Sequence, residues 1–240
     1  MFSRDYLRFT ASTLAFAAMV LAAPQIAFAD EDDDDHGDHH GDEEHYDITL
    51  WNNNGVLQTG GWDHDTEELE VDSLRLFEAH FGEDDPLLGN SAAEPGFGGT
   101  AAATGLTLGD TMTMNLNGAF AWNGNGFSAT SNVLSIGYEG QFVDSITGGG
   151  LNFLVTEDWD EHPIFSINED AASNTYLLEM SFTVDGVGSS DPFWIAFNYG
   201  EDNEQYFESH VGWVETNLVP APGVLALLGL GGLATRRRRA

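Results

Sequence analysis

The sequence predicts an all-β fold, an antiparallel β-sandwich (jelly-roll-like), with an N-terminal signal helix and a C-terminal short transmembrane helix. Two observations predict the sandwich. From residue 46 onward apolar and polar residues alternate with period two, which is typical of strands with one buried face. Clusters of Gly, Asn and Asp interrupt these runs at short intervals, and no helices alternate with the strands, so antiparallel neighbours are favoured over a parallel sheet.

The first 29 residues have the pattern of a secretory signal peptide. Arg4 and Arg8 give a basic start, residues 14–23 are apolar, and Ala27-Phe28-Ala29 places small residues before Asp30. We expect signal peptidase to cut between Ala29 and Asp30. The alternative is an uncleaved N-terminal anchor.

Residues 30–45 form an acidic leader that contains four histidines and nothing that could enter a core, so we expect disorder. Nitrogen and oxygen donors alternate along it and can hold a transition metal loosely. The candidate ligands are His36, Asp38, His39, His40, Asp42 and His45. The alternative is a solvated leader that only keeps the N-terminus soluble.

Residues 46–215 make up the predicted sandwich ectodomain. A turn is expected at Asn52–Gly55, a long loop at 82–105 and a short helix at 203–214, whereas 66–81 fits either strands or a helix. The other predicted strands cover 46–51, 56–59, 106–116, 119–122, 127–129, 133–138, 142–146, 151–155, 164–167, 175–184 and 193–198. Bulky aromatic residues on these strands are expected in the core: Trp51, Trp122, Phe165, Phe182, Trp194 and Phe197.

The charge balance restricts the partners. Residues 30–219 contain one arginine, Arg75, and 39 acidic residues, which gives this stretch a formal net charge of −38. Nucleic-acid binding is excluded, because phosphate contacts need Lys and Arg. The chain has no cysteine, so neither a disulfide nor a catalytic thiol is available.

The C-terminus has three parts. Residues 216–222 are a linker in which Pro220 and Pro222 stiffen the backbone. Residues 223–240 begin with 12 uncharged residues, short of the roughly 20 that a helix needs to cross a bilayer. Four arginines follow and would stay on the cytoplasmic side.

This order of a Pro-x-Pro motif, a short apolar segment and an arginine cluster resembles the PEP-CTERM sorting signal, a C-terminal domain also labelled as that of ice-binding proteins. The resemblance covers 218–240, and Ala221 stands where the name-giving motif has Glu. It implies export to a Gram-negative-type envelope and recognition by an exosortase-type peptidase. The sorting residues it assigns are Val219, Pro220, Ala221, Pro222, Arg236, Arg237, Arg238 and Arg239. The alternative is an ordinary membrane anchor.

The ectodomain is similar to exported PEP-CTERM proteins of planctomycete-like bacteria whose activity is uncharacterised. The similarity rests on short runs at His45-x-Asp47-Ile48, 95–97, 121–122, 175–178, 191–198 and 213–214. It implies no activity.

The densest ionisable cluster of the body is 157–162. Its candidate metal ligands are Glu157, Asp158 and Asp160, which could bind Ca²⁺ from a loop. The alternatives are a solvated loop and a glycosidase pair, but adjacent loop positions do not set the separation of about 5–10 Å that a glycosidase needs. The acidic stretch at 62–67 lacks the Gly and the final Glu of an EF-hand.

We therefore expect an exported cell-surface or extracellular-matrix protein without catalytic activity and without a cofactor, unless it binds Ca²⁺ or, loosely, a transition metal. The alternative is a carbohydrate-binding or glycan-hydrolysing domain acting on matrix polysaccharide. Before processing, the C-terminus would be inserted in the membrane.

Overall fold

The structure, a computed structural model, describes residues 46–64, 66–71, 74–82, 89–200 and 203–219 of the 240-residue chain. The first eight strands are β1 (Asp47–Asn53), β2 (Val56–Asp63), β3 (Glu68–Val71), β4 (Leu76–His80), β5 (Ser91–Ala92), β6 (Phe97–Thr100), β7 (Thr111–Trp122) and β8 (Phe127–Ala129). The others are β9 (Leu134–Tyr138), β10 (Gln141–Asp144), β11 (Gly149–Leu154), β12 (Asp158–Glu161), β13 (Ile164–Ile167), β14 (Asn174–Val184), β15 (Gly188–Ser189) and β16 (Phe193–Tyr199). Two helices are α1 (Ala101–Thr104) and α2 (Glu204–Asn217). The all-β prediction is confirmed.

The strands form three sheets. The five-stranded sheet has the order β12-β6-β1-β2-β3, and the four-stranded sheet has the order β10-β9-β13-β5. The largest sheet has the order β11-β7-β14-β16-β4, with β8 paired to β7 and β15 paired to β14. Pairing is antiparallel as predicted except at β1 with β6 and at β16 with β4, which are parallel. The predicted purely antiparallel arrangement is therefore wrong at these two pairs, whose strands lie far apart in sequence and are not joined by hairpins.

The hairpin between β1 and β2 confirms the predicted turn. Asn54 and Gly55 have φ values of 54° and 89°, and the strands pair from Asn53 with Val56 onward. Positive φ at both central residues defines the turn type that matches the twist of paired strands, and Asn-Gly is its preferred sequence.

One apolar core joins all three sheets, which gives the molecule a sandwich-like arrangement. Phe97 of β6 stacks on Phe182 of β14 with ring centroids 5.0 Å apart. Phe165 of β13 packs against Phe197 of β16 at 5.2 Å. The five- and four-stranded sheets thus both contact the inner face of the largest sheet. Four of the six predicted core aromatics are buried, whereas Trp51 and Trp122 are only half-buried.

The outer face of the largest sheet is covered by α2. Phe207, Val211 and Val214 pack against Leu177 and Trp194 in a second apolar cluster. The predicted helix at 203–214 is confirmed, but it continues to Asn217, through the first two residues of the expected linker.

One histidine of α2, His210, is 1% exposed within this layer. Its Nδ1 lies 2.7 Å from Thr175 Oγ1, and its ring stacks on Trp122 with centroids 4.1 Å apart. Its Nε2 has no hydrogen-bond partner within the described part of the chain. Burial lowers the pKa of His210.

Arg75, the single basic residue of 30–219 apart from histidine, has a structural role. Its Nε donates to the carbonyl of Pro192 at 2.7 Å, and its guanidinium lies 5.3 Å from the Trp194 ring centroid. Asp191 lies 3.7 Å away. Burial lowers the pKa of Arg75, and the charge of Asp191 opposes that shift. Arg75 therefore fixes the start of β16.

The predicted signal peptide, the acidic leader and the tail from Pro220 to Ala240 lie outside the described residues. No helix in the ranges given above is long and apolar enough to cross a membrane. Of the predicted sorting residues only Val219 is described, and it packs against the cluster beneath α2.

Candidate metal centre

Two carboxylates and two imidazoles converge at one end of the five-stranded sheet. Asp47, Asp160 and His162 each offer a donor atom, and these atoms all lie within 4.8 Å of one another. His64 is hydrogen-bonded through Nε2 to Asp47 Oδ2, and the same nitrogen lies 3.7 Å from Asp160 Oδ1. We call these four residues the metal centre.

The strand order explains why residues distant in sequence meet here. Asp47 begins β1 and pairs with Trp62 of β2, so His64 follows only two residues beyond that pair. Asp160 lies on β12 opposite Gly98 of β6, and β6 is the strand between β12 and β1. The centre therefore spans four neighbouring strands.

Two glycines, Gly96 just before β6 and Gly98 within it, leave the room that the centre occupies. A Cβ at Gly96 would lie 2.6 Å and 2.7 Å from the two carboxylate oxygens of Asp47. At Gly98 it would lie 3.0 Å from His64 Cε1 and 2.7 Å from Trp62 Cδ1. Phe97 between them is fully buried in the core. Because side chains alternate along a strand, this Gly-Phe-Gly segment gives one face to the core and a bare face to the centre.

The ring of His162 is oriented by acceptors on its Nδ1 side, opposite the nitrogen that contacts Asp160. Its Nδ1 lies 3.4 Å from the Ala93 carbonyl oxygen and 3.4 Å from Glu94 Oε1, while Nε2 lies 3.0 Å from Asp160 Oδ1. Glu94 is itself held, since its Oε2 accepts from the Gly96 N–H at 2.9 Å. A histidine that donates one N–H to a carboxylate or carbonyl and turns its other nitrogen toward ligands has the arrangement typical of metal sites.

The centre is buried at one ligand and open at the others. The Asp47 side chain is 7% exposed, whereas those of His64, His162 and Asp160 are 41%, 41% and 57% exposed. A buried carboxylate needs a partner of opposite charge or strong hydrogen bonds. Because the side chains of His64, His162 and Asp160 are exposed, an ion can enter from solvent and reach Asp47.

The centre favours positive charge. Burial lowers the pKa of His64, but the hydrogen bond to Asp47 and the charges of Asp47 and Asp160 outweigh it, so that pKa is raised. Burial likewise lowers the pKa of His162, and the charges of Glu94, Asp47 and Asp160 raise it above its usual value. A metal ion that binds here must displace these protons, which couples binding to pH.

The donor set suits a first-row transition ion better than Ca²⁺. Ca²⁺ takes six to eight oxygen ligands, whereas imidazole nitrogen suits Zn, Cu, Ni and Fe. Asp47, Asp160 and His162 can supply three ligands of the types that Zn²⁺ uses, and His64 lies beside them.

Of the residues predicted from sequence, the structure brings only Asp160 into the centre. Glu157 and Asp158 are exposed and belong to no group of three metal-ligating side chains among the described residues. The leader ligands from His36 to His45 lie outside the described residues.

Sequence reasoning missed Asp47, His64, Glu94 and His162 as members of one site. A signal was present, since His64 and His162 each sit next to acidic residues in the folded body. What joins the two segments is strand pairing, which neither segment reveals alone.

Comparisons of the chain with protein-family models, with curated proteins and with solved structures return no match.

Proposed function

We propose that this protein is an exported, non-catalytic surface or extracellular-matrix protein whose β-sandwich binds one divalent transition-metal ion at the metal centre. The observation that carries the proposal is the convergence of Asp47, Asp160 and His162 with His64 beside them. The orientation of His162 by Ala93 and Glu94 supports it, because such second partners are typical of metal-ligating histidines.

Export and sorting are supported by the sequence of the two ends. The signal peptidase site at Ala29-Asp30 and the exosortase-type motif at Pro220-Ala221-Pro222 flank the acidic ectodomain. The C-terminal segment would be inserted in the membrane until processing releases the domain to the surface or matrix. The four terminal arginines would hold the tail at the cytoplasmic side.

Calorimetric titration of the purified chain with Zn²⁺, and separately with Ca²⁺, tests the metal proposal. We expect one Zn²⁺ per chain and weaker Ca²⁺ binding. Asp160→Asn and His162→Gln should each weaken Zn²⁺ binding by about 10–100-fold or more, since loss of a residue that only hydrogen-bonds to a metal ligand already costs that much. Asp158→Asn changes an exposed carboxylate on the same strand and is the matched control.

Two results would contradict the metal proposal: Zn²⁺ binding that survives both substitutions unchanged, or an equal loss in Asp158→Asn. The second would show that general negative charge, rather than the centre, attracts the ion.

Deletion of 218–240 tests sorting. In cells that contain the peptidase we expect the truncated protein to be secreted into the medium rather than retained at the envelope. Substitution of Arg236–Arg239 by alanine should cause accumulation of unprocessed chain. Surface retention unaffected by the deletion would remove the sorting part of the proposal and leave the metal part standing.

A further inference from the structure

The metal centre has room for one more ligand than its converging side chains supply. Asp47, Asp160 and His162 each offer one donor atom, and these atoms lie within 4.8 Å of one another. Zn²⁺ takes four ligands in structural protein sites, drawn from Cys, His, Asp and Glu. The chain has no cysteine, so the fourth donor must be an imidazole or a carboxylate.

His64 lies beside the centre but is engaged by one of its ligands. Its Nε2 is hydrogen-bonded to Asp47 Oδ2, and His64 is not among the three residues whose donor atoms converge. A side chain that hydrogen-bonds to a ligating carboxylate orients that ligand rather than binding the ion. With His64 in this role, the fourth position needs a donor from elsewhere.

The register of the first hairpin identifies the position that faces His64. Asp47 of β1 lies opposite Trp62 of β2, and the pairs along the hairpin keep this register up to the turn. Two further steps in the same register bring residue 45 opposite His64. That residue is His45, which lies outside the described residues. Directly opposite side chains of an antiparallel pair have Cβ atoms about 4.5–5.5 Å apart.

Tyr46 already keeps the alternation of β1 one residue before the strand begins. A Cβ at Gly61 would lie 3.0 Å from Tyr46 Cβ, and Gly61 is opposite Ile48. Opposite residues of paired strands share a face, so Tyr46 and Ile48 point to one side of the sheet and Asp47 to the other. The same alternation, continued by one residue, turns residue 45 toward the face of Asp47, where the centre lies.

The charge at the centre favours an imidazole as the fourth donor. The carboxylates of Asp47 and Asp160 together balance the charge of a divalent ion. A further carboxylate, such as that of Glu43 or Glu44, would leave excess negative charge beside the buried Asp47, which is costly. The neutral imidazole of His45 adds a ligand without adding charge.

We propose that His45 is the fourth ligand of the metal centre, so that the ion ties the end of the acidic leader to the first hairpin. The existence of the centre rests on the proposed function, whereas the choice of His45 rests on the register of β1 with β2. The ion then binds two carboxylates and two imidazoles, ligand types that Zn²⁺ uses.

Calorimetric titration of the purified chain with Zn²⁺, its leader retained, tests this proposal. We expect His45→Gln to weaken Zn²⁺ binding by about 10–100-fold or more, because loss of a residue that only hydrogen-bonds to a metal ligand already costs that much. His36→Gln removes another histidine of the same leader and is the matched control. It should bind Zn²⁺ like the wild type. Both positions precede β1, so both variants should unfold like the wild type in the presence of a chelator.

X-ray absorption of the bound Zn²⁺ counts the imidazoles directly. We expect two in the wild type and in His36→Gln, and one in His45→Gln. His64→Gln should keep both, because His64 contacts Asp47 and does not ligate the ion.

The outcomes separate the fourth ligand from the centre itself. Zn²⁺ affinity that is unchanged in His45→Gln, or an equal loss in His36→Gln, overturns the assignment of His45 and leaves the centre standing. An imidazole lost in His64→Gln but not in His45→Gln does the same. Absence of Zn²⁺ binding by the wild type, or full affinity in Asp160→Asn, overturns both the centre and its fourth ligand.

Discussion

The metal centre depends most directly on Gly96, because any side chain there would collide with the Asp47 carboxylate. We predict that Gly96→Ala destabilises the fold by about 1–3 kcal/mol, the usual cost of forcing an extra group into a packed site. It should also weaken Zn²⁺ binding by about tenfold or more, since the new Cβ displaces the Asp47 carboxylate. Denaturant unfolding and calorimetry measure the two effects.

Gly89→Ala provides the comparison, because its Cβ would enter open space. Equal effects of the two substitutions would show that the close approach of Gly96 to Asp47 is not what shapes the centre.

His210 makes stability depend on pH in a known direction. Because burial lowers its pKa, the unfolded chain takes up a proton near pH 6.5, before the folded chain does. The contribution of His210 to stability is therefore lost as pH falls below about 6.5. We predict that His210→Asn, which keeps a polar atom near Thr175, flattens the decline in unfolding free energy between about pH 6.5 and pH 5.

The comparison for this pH effect is Phe207→Ala, which disturbs the same cluster but removes no titratable group. Its pH slope should match the wild type. His64 and His162 act in the opposite sense, because a raised pKa gives stability that is present below about pH 6.5 and lost as pH rises through the folded value. If the unfolding free energy of His210→Asn declined with falling pH as steeply as that of the wild type, His210 would not be the cause of the decline.

At the scale of elements, α2 is held by its buried face rather than by local sequence. Phe207 is fully buried, and Phe207→Ala should cost about 3–5 kcal/mol through lost contact and a cavity. Gly212→Ala on the same helix should instead stabilise by about 0.5–1 kcal/mol, since its Cβ meets nothing within 4 Å. Urea midpoints of the two variants should move in opposite directions.

Strand and turn positions were largely predictable, and the exceptions have a physical reason. The period of the side chains and the Asn54-Gly55 turn indicated the first hairpin correctly. The expected loop at 82–105 instead contains β5, β6 and α1. Glycine is depleted in strands, so Gly96, Gly98 and Gly99 favoured a loop. Gly98 and Gly99 nevertheless lie in β6, and Gly96 directly precedes it, because the centre and Trp159 occupy the space where side chains would lie.

The site itself was less predictable than the fold. Asp160 could be chosen as a ligand because it lies in an acidic cluster next to a histidine. Its partners Asp47 and His64 come from the first hairpin, and they approach Asp160 only because β6 lies between β1 and β12. That order depends on one parallel pair, β1 with β6, which local alternation of residues does not specify.

At the scale of the whole molecule, self-repulsion should limit stability. With a formal net charge of −38 on residues 30–219, screening by salt favours the compact state. We predict that the thermal midpoint rises between about 0.02 M and about 0.5 M NaCl, over which the Debye length shortens several-fold. Each kcal/mol gained should appear as about 2–4 °C in calorimetry.

Site binding and screening can be separated with one variant. Asp160→Asn should keep the response to NaCl but lose the added stabilisation by Zn²⁺, which for the wild type reaches about 2.7 kcal/mol at a hundredfold excess over the dissociation constant. A midpoint of the wild-type chain that does not rise with NaCl would contradict the role of self-repulsion.

The placement of Arg75 has a consequence for resistance to proteolysis. Proteases of the trypsin type cut after lysine or arginine, and between residues 30 and 219 the sequence contains one such residue. That arginine donates a hydrogen bond to the Pro192 carbonyl, and its side chain is only 15% exposed. The folded domain therefore offers such enzymes no accessible cleavage position between residues 30 and 219 and, since this stretch has no lysine, no side-chain amine for chemical cross-linking.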